Sequence, residues 1–353
     1  RGDRKEKSGG CSEGFDDGLI MTKVSILLPF RNAASTLQRA FRSMIDQTFL
    51  DHELILIDNG SSDTSTSIAE EWCKKDQRIR LVREPTIGIA HALNTGLEHA
   101  KAGYIARMDA DDIAQPERLQ KQVEFLDTHP EIGVVGTRTN FISTVANNRG
   151  MEAYVNWQNA IITPREHYLK RFVDAPVAHP SVLFRHDLVQ QFGGYDTGPL
   201  PEDHELWLRW MHHRVRFAKL PDELLTWNDH PQRSSRTHSN YSVDAFFTTK
   251  AKWIAAWYRR KFPSGRPVII AGTSTLCKAR ARMLEHEGIP ISAFTDVRER
   301  VLPRYRFILH NELPGPGEAL IISFISQRGT GDKIAAFLVS RGLTEGTDFI
   351  LAA

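Results

Sequence analysis

The sequence predicts an α/β protein: an open, mostly parallel sheet covered by helices on both faces, followed by a smaller α/β domain. Three observations carry this. From residue 23 onward, apolar runs of strand length alternate with stretches of helical spacing. The alternation starts over after PSGRP at 263–267. A chain of 353 residues, 41% hydrophobic and 25% charged, is also long enough for two cores.

KVSILLPF (23–30) is a short apolar strand stopped by Pro29. STLQRAFRSMIDQ (35–47) opens with a Ser cap and lines Leu37, Phe41, Met44 and Ile45 along one helical face. ELILID (53–58) is a second strand running into the turn NGSSD, and TSIAEEWCKK (66–75) is the helix after it. RIRLV (78–82) is a third strand and GIAHALNTGLEHA (88–100) a helix. YIARMD (104–109) is a fourth strand, and PERLQKQVEFLDTH (116–129) a helix with Pro at its start. After Gly133 the pattern changes. IGVVGTRTNFIS (132–143) reads as a longer strand, 144–164 as an excursion over the site, and HPSVLFR (179–185) as strand-like. EDHELWLRWMHH (202–213) is a helix with Leu206, Trp207 and Trp210 on one face, and VRFAKL (215–220) another strand.

SVDAFFTTKAKWIAAWYRRKF (242–262) is a helix of mixed aromatic and basic character. It reads as an inter-domain helix packing Phe246, Trp253 and Trp257, or as a membrane-surface helix, since Arg259, Arg260 and Lys261 follow the tryptophans. The second domain has strands at 267–272, 291–296, 319–324 and 348–352, with helices at 274–288 and 331–342. The organisation predicted is therefore a polar, Gly-rich extension at 1–22, a first domain at 23–240, a linker helix at 241–264 and a second domain at 265–353. The extension reads as disordered or as an appended remnant, with Met21 as a natural start.

A net charge of +2 gives no argument for a nucleic-acid partner. Cys11, Cys73 and Cys277 are few, odd in number and widely spaced, which fits a reducing compartment without a disulfide framework or zinc spacing. No apolar run approaches the roughly 20 residues of a membrane span, and no secretory signal is visible. The expectation is a cytoplasmic protein.

The chemistry sits at strand ends. In open α/β sheets ligands bind beyond the carboxyl ends of the strands. Asp58 and Asp109 both occupy such ends, which puts two acidic turns on one edge. Asp58 can also be explained as an Asx turn before Gly60. Capping of the helix at 116 explains one carboxylate of Asp111 and Asp112, but not a group of three with Asp109. Carboxylates this close repel unless something positive lies among them. A divalent cation would remove the repulsion and neutralise a leaving diphosphate. The chain has no GxxxxGK[ST] loop, which argues against an ordinary NTPase.

At this point VSILLPFRNAASTLQRAFRSMIDQTF, LILIDNGSSDTS, YIARMDADD, HPSVLFR, GGYD and PEDHELWLRW together resemble the ordered motif series of family 2 glycosyltransferases, over about residues 23–236. IARMDADDIAQPERLQKQ resembles bacterial members that build surface polysaccharides. The resemblance implies a GT-A fold, a mixed and mostly parallel sheet, with inverting, metal-dependent transfer from a nucleotide-diphospho-sugar, a UDP-sugar for preference. It implies Mn²⁺ or Mg²⁺ as cofactor and a saccharide or lipid-linked saccharide acceptor. Peripheral attachment to the inner membrane face and a homo-oligomer stay open.

Position by position, the resemblance makes Pro29 to Asn32 the wall of the base pocket, with Arg31 where many members have an aromatic. An Arg plane can still stack on a base. Asp58 matches the residue that hydrogen-bonds base or ribose, Asp109 meets ribose and metal, and Asp111 meets metal and diphosphate. Asp112 is expected to be structural or a helix cap. Asp203 matches the catalytic base, with the helix terminus holding it ionised. His230 matches a third metal ligand or phosphate contact, beside Arg233. His179 and Glu202 are expected on the acceptor side, and 144–173 to set acceptor specificity.

In the second domain, IIAGTSTLCKARARMLEHEG…AFTD imitates a dinucleotide-binding start, with Asp296 in the place of the ribose-binding acid. Ser274 and Cys277 stand where the fingerprint needs glycines. Two other readings remain: a sugar-nucleotide sensor without transfer activity, and a bifunctional protein with an NAD-binding second half.

Overall fold

The structure is a computed structural model that describes residues 22–325 and 329–353. The extension at 1–21, with Cys11 and Met21, lies outside the described residues.

The first unit runs β1 (Val24–Phe30), α1 (Leu37–Ile45), β2 (His52–Asp58), α2 (Ser65–Lys75), β3 (Ile79–Arg83), α3 (Ile89–His99), β4 (Tyr104–Arg107), β5 (Ile113–Ala114) and α4 (Arg118–Thr128). It continues with β6 (Ile132–Ser143), α5 (Arg149–Ala160), α6 (Pro164–Lys170), β7 (Leu183–Arg185), α7 (Asp187–Phe192), α8 (Glu202–His212), β8 (Arg216–Asp229) and α9 (Ser234–Thr237). Then come α10 (Val243–Lys261), β9 (Val268–Ala271), α11 (Thr275–His286), β10 (Ile291–Asp296), β11 (Arg306–Leu309), β12 (Leu320–Ser323), α12 (Thr330–Ser340) and β13 (Phe349–Leu351).

Eight strands form one sheet in the order β3-β2-β1-β4-β7-β6-β8-β5. β1 to β4 pair in parallel, β7 runs antiparallel between β4 and β6, and β8 returns parallel to β6. The register sets Phe30 beside Asp58 and Asp58 beside Arg83, so the carboxyl ends of β1, β2 and β3 lie in line. β4 joins the same edge, and Met108 N–H still bonds Leu27 O at 3.0 Å as the chain leaves the strand. The continuous Val/Ile/Leu character of β1 and β2 follows from this: both faces of a central parallel strand are covered. One face packs on α1 and α4 through Leu28, Phe41 and Leu119, the other on α3 and α8 through Leu27, Leu93, Trp207 and Trp210.

Several local expectations are corrected. Thr36, not Ser35, precedes α1, and its side chain makes no capping bond. Pro116 precedes α4, whose N-cap is Glu117. The two-residue β5 and the four-residue β11 were too short to show periodicity. The stretch at 144–164 contains α5, which packs on β6. β8 runs to Asp229 instead of stopping at Leu220, because Pro221 and Asp222 drop out of the ladder between the pairs Thr137–Leu220 and Arg138–Glu223. A Pro costs a strand one donor, and a bulge absorbs that loss.

The second unit is a five-stranded, all-parallel sheet in the order β11-β10-β9-β12-β13. α10 lies between the units. Phe247, Ile254, Ala255, Trp257 and Tyr258 are buried in one cluster with Phe172 and Leu208 on one side and Val268, Ile270 and Phe294 on the other. Phe246 and Trp253 are half-buried. The apolar side of α10 is therefore turned to protein, as an inter-domain helix requires. Lys250, buried in it, donates to Val173 O and Ala352 O at 3.1 Å each and so ties both units to one helix. No helix among the described residues is long and apolar enough to cross a membrane.

Gly136 in β6 shows how tightly the sheet packs against the segment that leads to His179. A Cβ there would run into Val177 Cγ2, the branched side chain of a buried residue. Gly136→Ala should therefore lower stability by about 1–3 kcal/mol, measured by urea denaturation, with the slope of the transition unchanged.

Candidate functional site

The loop after β1 and the turn after β2 form one hydrogen-bonded unit. Asp58 ends β2 almost buried, accepting Ser61 N–H at 2.9 Å and the Thr66 hydroxyl at 2.6 Å. Asn59 accepts Gly88 N–H at 2.8 Å and donates to Glu84 O and Thr86 O. Asn32, at φ 51°, accepts Ser62 N–H at 2.8 Å, and its own N–H bonds Ser61 Oγ. The left-handed conformation suits Asn better than most residues. Pro29 is buried in β1, whereas Arg31 is exposed at the mouth of this unit. The expected Asx turn at Asp58 is present, and the expected base-pocket residues stand next to it.

β4 ends in the acidic cluster. Asp109, Asp111 and Asp112 present carboxylate oxygens within 4.8 Å of one another. Asp109 pairs through one oxygen with Arg107, a guanidinium only 3% exposed, and through the other with Arg233 Nη2 at 3.9 Å. Asp111 meets His230 Nε2 at 2.9 Å, and its carbonyl accepts Asn228 Nδ2 at 2.9 Å. Burial, then the neighbouring Asp109 charge, raises the Asp111 pKa. Asp112 is fully buried and pushed well above the carboxylate range, by burial first and then by Asp109 and Asp111. Its Oδ1 accepts the backbone N–H of Asn228 at 2.8 Å, so it pins β8 to the cluster and does not cap α4.

Four polar atoms at this edge are buried without a hydrogen-bond partner among the described residues: Asp112 Oδ2, Arg107 Nε, Arg233 Nη1 and Trp227 Nε1. Such groups are rare, and each calls for a ligand, water or ion. The hard oxygen donors of Asp109 and Asp111, with the His230 imidazole, are a donor set that suits Mn²⁺ or Mg²⁺.

α8 brings the second group of acids. Asp203 lies in its first turn and accepts His204 N–H at 2.7 Å. The helix terminus was expected to hold it ionised. Burial outweighs that and lifts the carboxyl to about 6, with Arg107 lowering and Asp174 and Asp109 raising it. Asp109 is bonded to Arg107, and Asp203 lies within electrostatic reach of the same guanidinium. Glu202 is 5% exposed and accepts the Tyr241 hydroxyl at 2.7 Å; burial, then Asp203, raises it to about 8. His179 is 7% exposed and shares a hydrogen bond of 2.9 Å with Tyr195; burial, then Arg107, holds it well below its ordinary value. Glu202 and His179 were expected on the acceptor side. Both are buried, Glu202 against Tyr241 and His179 between Tyr195 and Trp207.

Sequence reasoning missed Arg107 and Tyr241 and gave Arg233 no role of its own. Arg107 carries a signal: a lone cation in an apolar strand directly before three acids. Arg233 follows His230 by three residues and stacks on Trp227, its Cζ 4.5 Å from the ring centroid. Tyr241 reaches Glu202 across 39 positions, and no local pattern marks it. In the second unit, Asp296 Oδ2 accepts the Thr273 hydroxyl at 2.5 Å and its N–H at 3.2 Å, so the acid is taken up by the turn after β9. Gly272, at φ 104°, has Cys277 Sγ 2.7 Å from where a Cβ would stand, leaving little room at that turn.

The model of the family Glycosyl transferase family 2 matches residues 25–193. The chain is 31% identical over 206 residues to AmsE, an amylovoran biosynthesis glycosyltransferase of Erwinia amylovora, covering 58% of this chain and 75% of that one. It is 30% identical over 227 residues to EpsE, a putative glycosyltransferase of Bacillus subtilis, covering 63% and 78%. In fold it is similar to residues 1-349 of S. aureus TarS crystallised with UDP-GlcNAc, at TM-score 0.54 and 16% identity, over 75% of this chain and 71% of that one. It spans 42% of the longer TarS structure. The matches agree with the sheet and with the GT-A architecture.

Removing Arg107 leaves buried carboxylates uncompensated. Arg107→Ala should cost about 3–5 kcal/mol at pH 7. The deficit should shrink below about pH 5, where protonation relieves the repulsion. Denaturant titrations at both pH values test this.

Proposed function

The chain belongs to glycosyl transferase family 2 and is a sugar-transferring enzyme, and from that premise we propose that it transfers a sugar, with inversion, from a nucleotide-diphospho-sugar to a saccharide or lipid-linked saccharide acceptor in the assembly of a bacterial surface polysaccharide. The observation that supports this is the clustering of Asp109 and Asp111 with His230 beside Arg107, with Asp203 at the start of α8 within electrostatic reach of that guanidinium. One group suits a diphosphate and its counter-ion; the other supplies a base.

Asp203 accepts the proton of the acceptor hydroxyl while that oxygen attacks the anomeric carbon. The bond from that carbon to the diphosphate oxygen breaks, and the diphosphate leaves with the electron pair. A carboxyl lifted to about 6 is mostly ionised at neutral pH yet a better proton acceptor than an ordinary Asp. Asp109, Asp111 and His230 would hold Mn²⁺ or Mg²⁺, which when bound neutralises charge on the leaving diphosphate. Arg233 adds a positive group whose unpartnered Nη1 suits a phosphate oxygen. Asp58 and Asn32 shape the turn over which the nucleoside lies, with Arg31 offering its plane to the base. AmsE, a relative named for amylovoran biosynthesis, supports the polysaccharide assignment.

Asp203→Asn should lower kcat by about 10²–10⁴ and leave donor affinity nearly intact; a large loss of donor affinity would reassign the base. Transfer should rise with pH through about 6 and then level off, since only the deprotonated base acts. A profile without that limb would separate Asp203 from the chemistry. In thermal-shift measurements UDP, GDP or TDP should stabilise the protein more with Mn²⁺ than without it, and Asp111→Ala should remove the metal-dependent part. No metal-dependent response to any nucleotide would overturn the reading.

A further inference from the structure

We propose that the connection between β10 and β11 docks the protein on an anionic lipid surface, with Val297 and Val301 entering the interface and Arg298 and Arg300 meeting the head groups. Parallel neighbours such as β10 and β11 are ordinarily joined by a crossover helix. Here VRERVLPRY (297–305) makes the crossing without one. Both ends are fastened. At the start, Asp296 Oδ1 accepts Val297 N–H at 2.8 Å. At the end, Leu302 packs in the cluster around Phe294, and the Tyr305 ring lies 4.7 Å from that of Phe294 between centroids. The Tyr305 hydroxyl donates to Glu285 Oε2 of α11 at 3.0 Å.

Between these anchors the chain stands out from the core. Val301 is 94% exposed, the most of any large apolar side chain among the described residues, and Val297 is 70% exposed. Single exposed apolar residues are normal and need no partner. Leu50 and Val243 are of that kind, and an acid follows each directly, Asp51 and Asp244. The two valines keep different company. Their loop carries Arg298, Arg300 and Arg304 against Glu299, a net of +2, which equals the formal net charge of the entire chain. The remainder therefore sums to zero, and the positive excess corresponds to this one loop. Arg304 donates to Glu285 at 3.2 Å. Arg298 and Arg300 are exposed, with no hydrogen-bond or ion-pair partner for their side chains among the described residues. Arg282 of α11, within electrostatic reach of Tyr305, adds an exposed cation beside them.

Cations alone would suit any acidic partner. Aliphatic side chains held out in water between them suit a bilayer, where the valines leave water and the arginine stems reach back to the head groups. Neither signal anchors a protein firmly alone, and an apolar insertion with a basic patch gives reversible attachment. A nucleic acid would be met by stacking rings, and the one ring of this loop, Tyr305, is turned to Phe294. α10, the other basic and apolar stretch, does not compete for the role, because Trp257 is buried between the two units.

The test uses the full chain and is independent of sugar transfer. Co-sedimentation with equimolar phosphatidylglycerol–phosphatidylcholine vesicles at about 0.1 M salt should exceed that with pure phosphatidylcholine, and should fall as salt rises to about 0.5 M. Arg298→Ala and Arg300→Ala should each weaken the partition about fivefold. Val297→Ser combined with Val301→Ser should weaken it about tenfold. All four side chains are exposed, so the Tm and its response to nucleotide with Mn²⁺ should match the wild type in every variant. A failure here is thereby distinguished from a failure of the transfer reading. No binding to anionic vesicles, equal binding to neutral ones, or binding unchanged when both arginines are replaced would overturn the proposal. Loss in the arginine variants with the double valine variant unchanged would also overturn it, and would assign the loop to an acidic macromolecule.

Discussion

The guanidinium of Arg107 makes the acidic edge of this sheet compatible with a folded chain. It is buried at the end of β4, bonded to Asp109 and within electrostatic reach of Glu202 and Asp203. Two unit charges 4 Å apart interact by about 4 kcal/mol at an effective dielectric constant of 20, comparable to what a domain has in reserve. Arg118, fully buried beneath, donates to Arg107 O at 2.8 Å and faces Asp112. Two buried guanidiniums thus adjoin the cluster, of which Asp109 and Asp111 stay partly exposed.

The site takes its parts from three distant stretches, each held by a different rigid element. β4 delivers the cluster, α8 delivers Asp203, and the segment after β8 delivers His230 and Arg233. Bonds from Asn228 to Asp111 and Asp112 fix the third stretch against the first. The hydroxyl of Tyr241 fixes its far end to Glu202. α8 serves core and site together, since Trp207 and Trp210 anchor it in the sheet two turns or less from Asp203. Four orphaned polar atoms lie where these parts meet, whereas the acid that ends β10 is bonded to Thr273 in the turn after β9.

By itself the sequence determined the class of fold, the strands of both sheets that are long and apolar, and the identity of the acids at the strand ends. Alternating apolar runs and charged turns are local properties, and local properties are written in order. It also carried Asp203, because an ordered motif series is a pattern along the chain. The tertiary structure alone decided that Asp112 holds β8 and does not cap α4, and that Glu202 and His179 are buried. It alone revealed that β8 passes Pro221 through a bulge. Burial and charge pairing are set by neighbours remote in sequence: whether a carboxylate is a base, a cap or a staple depends on the residue opposite it, and only the fold chooses that residue.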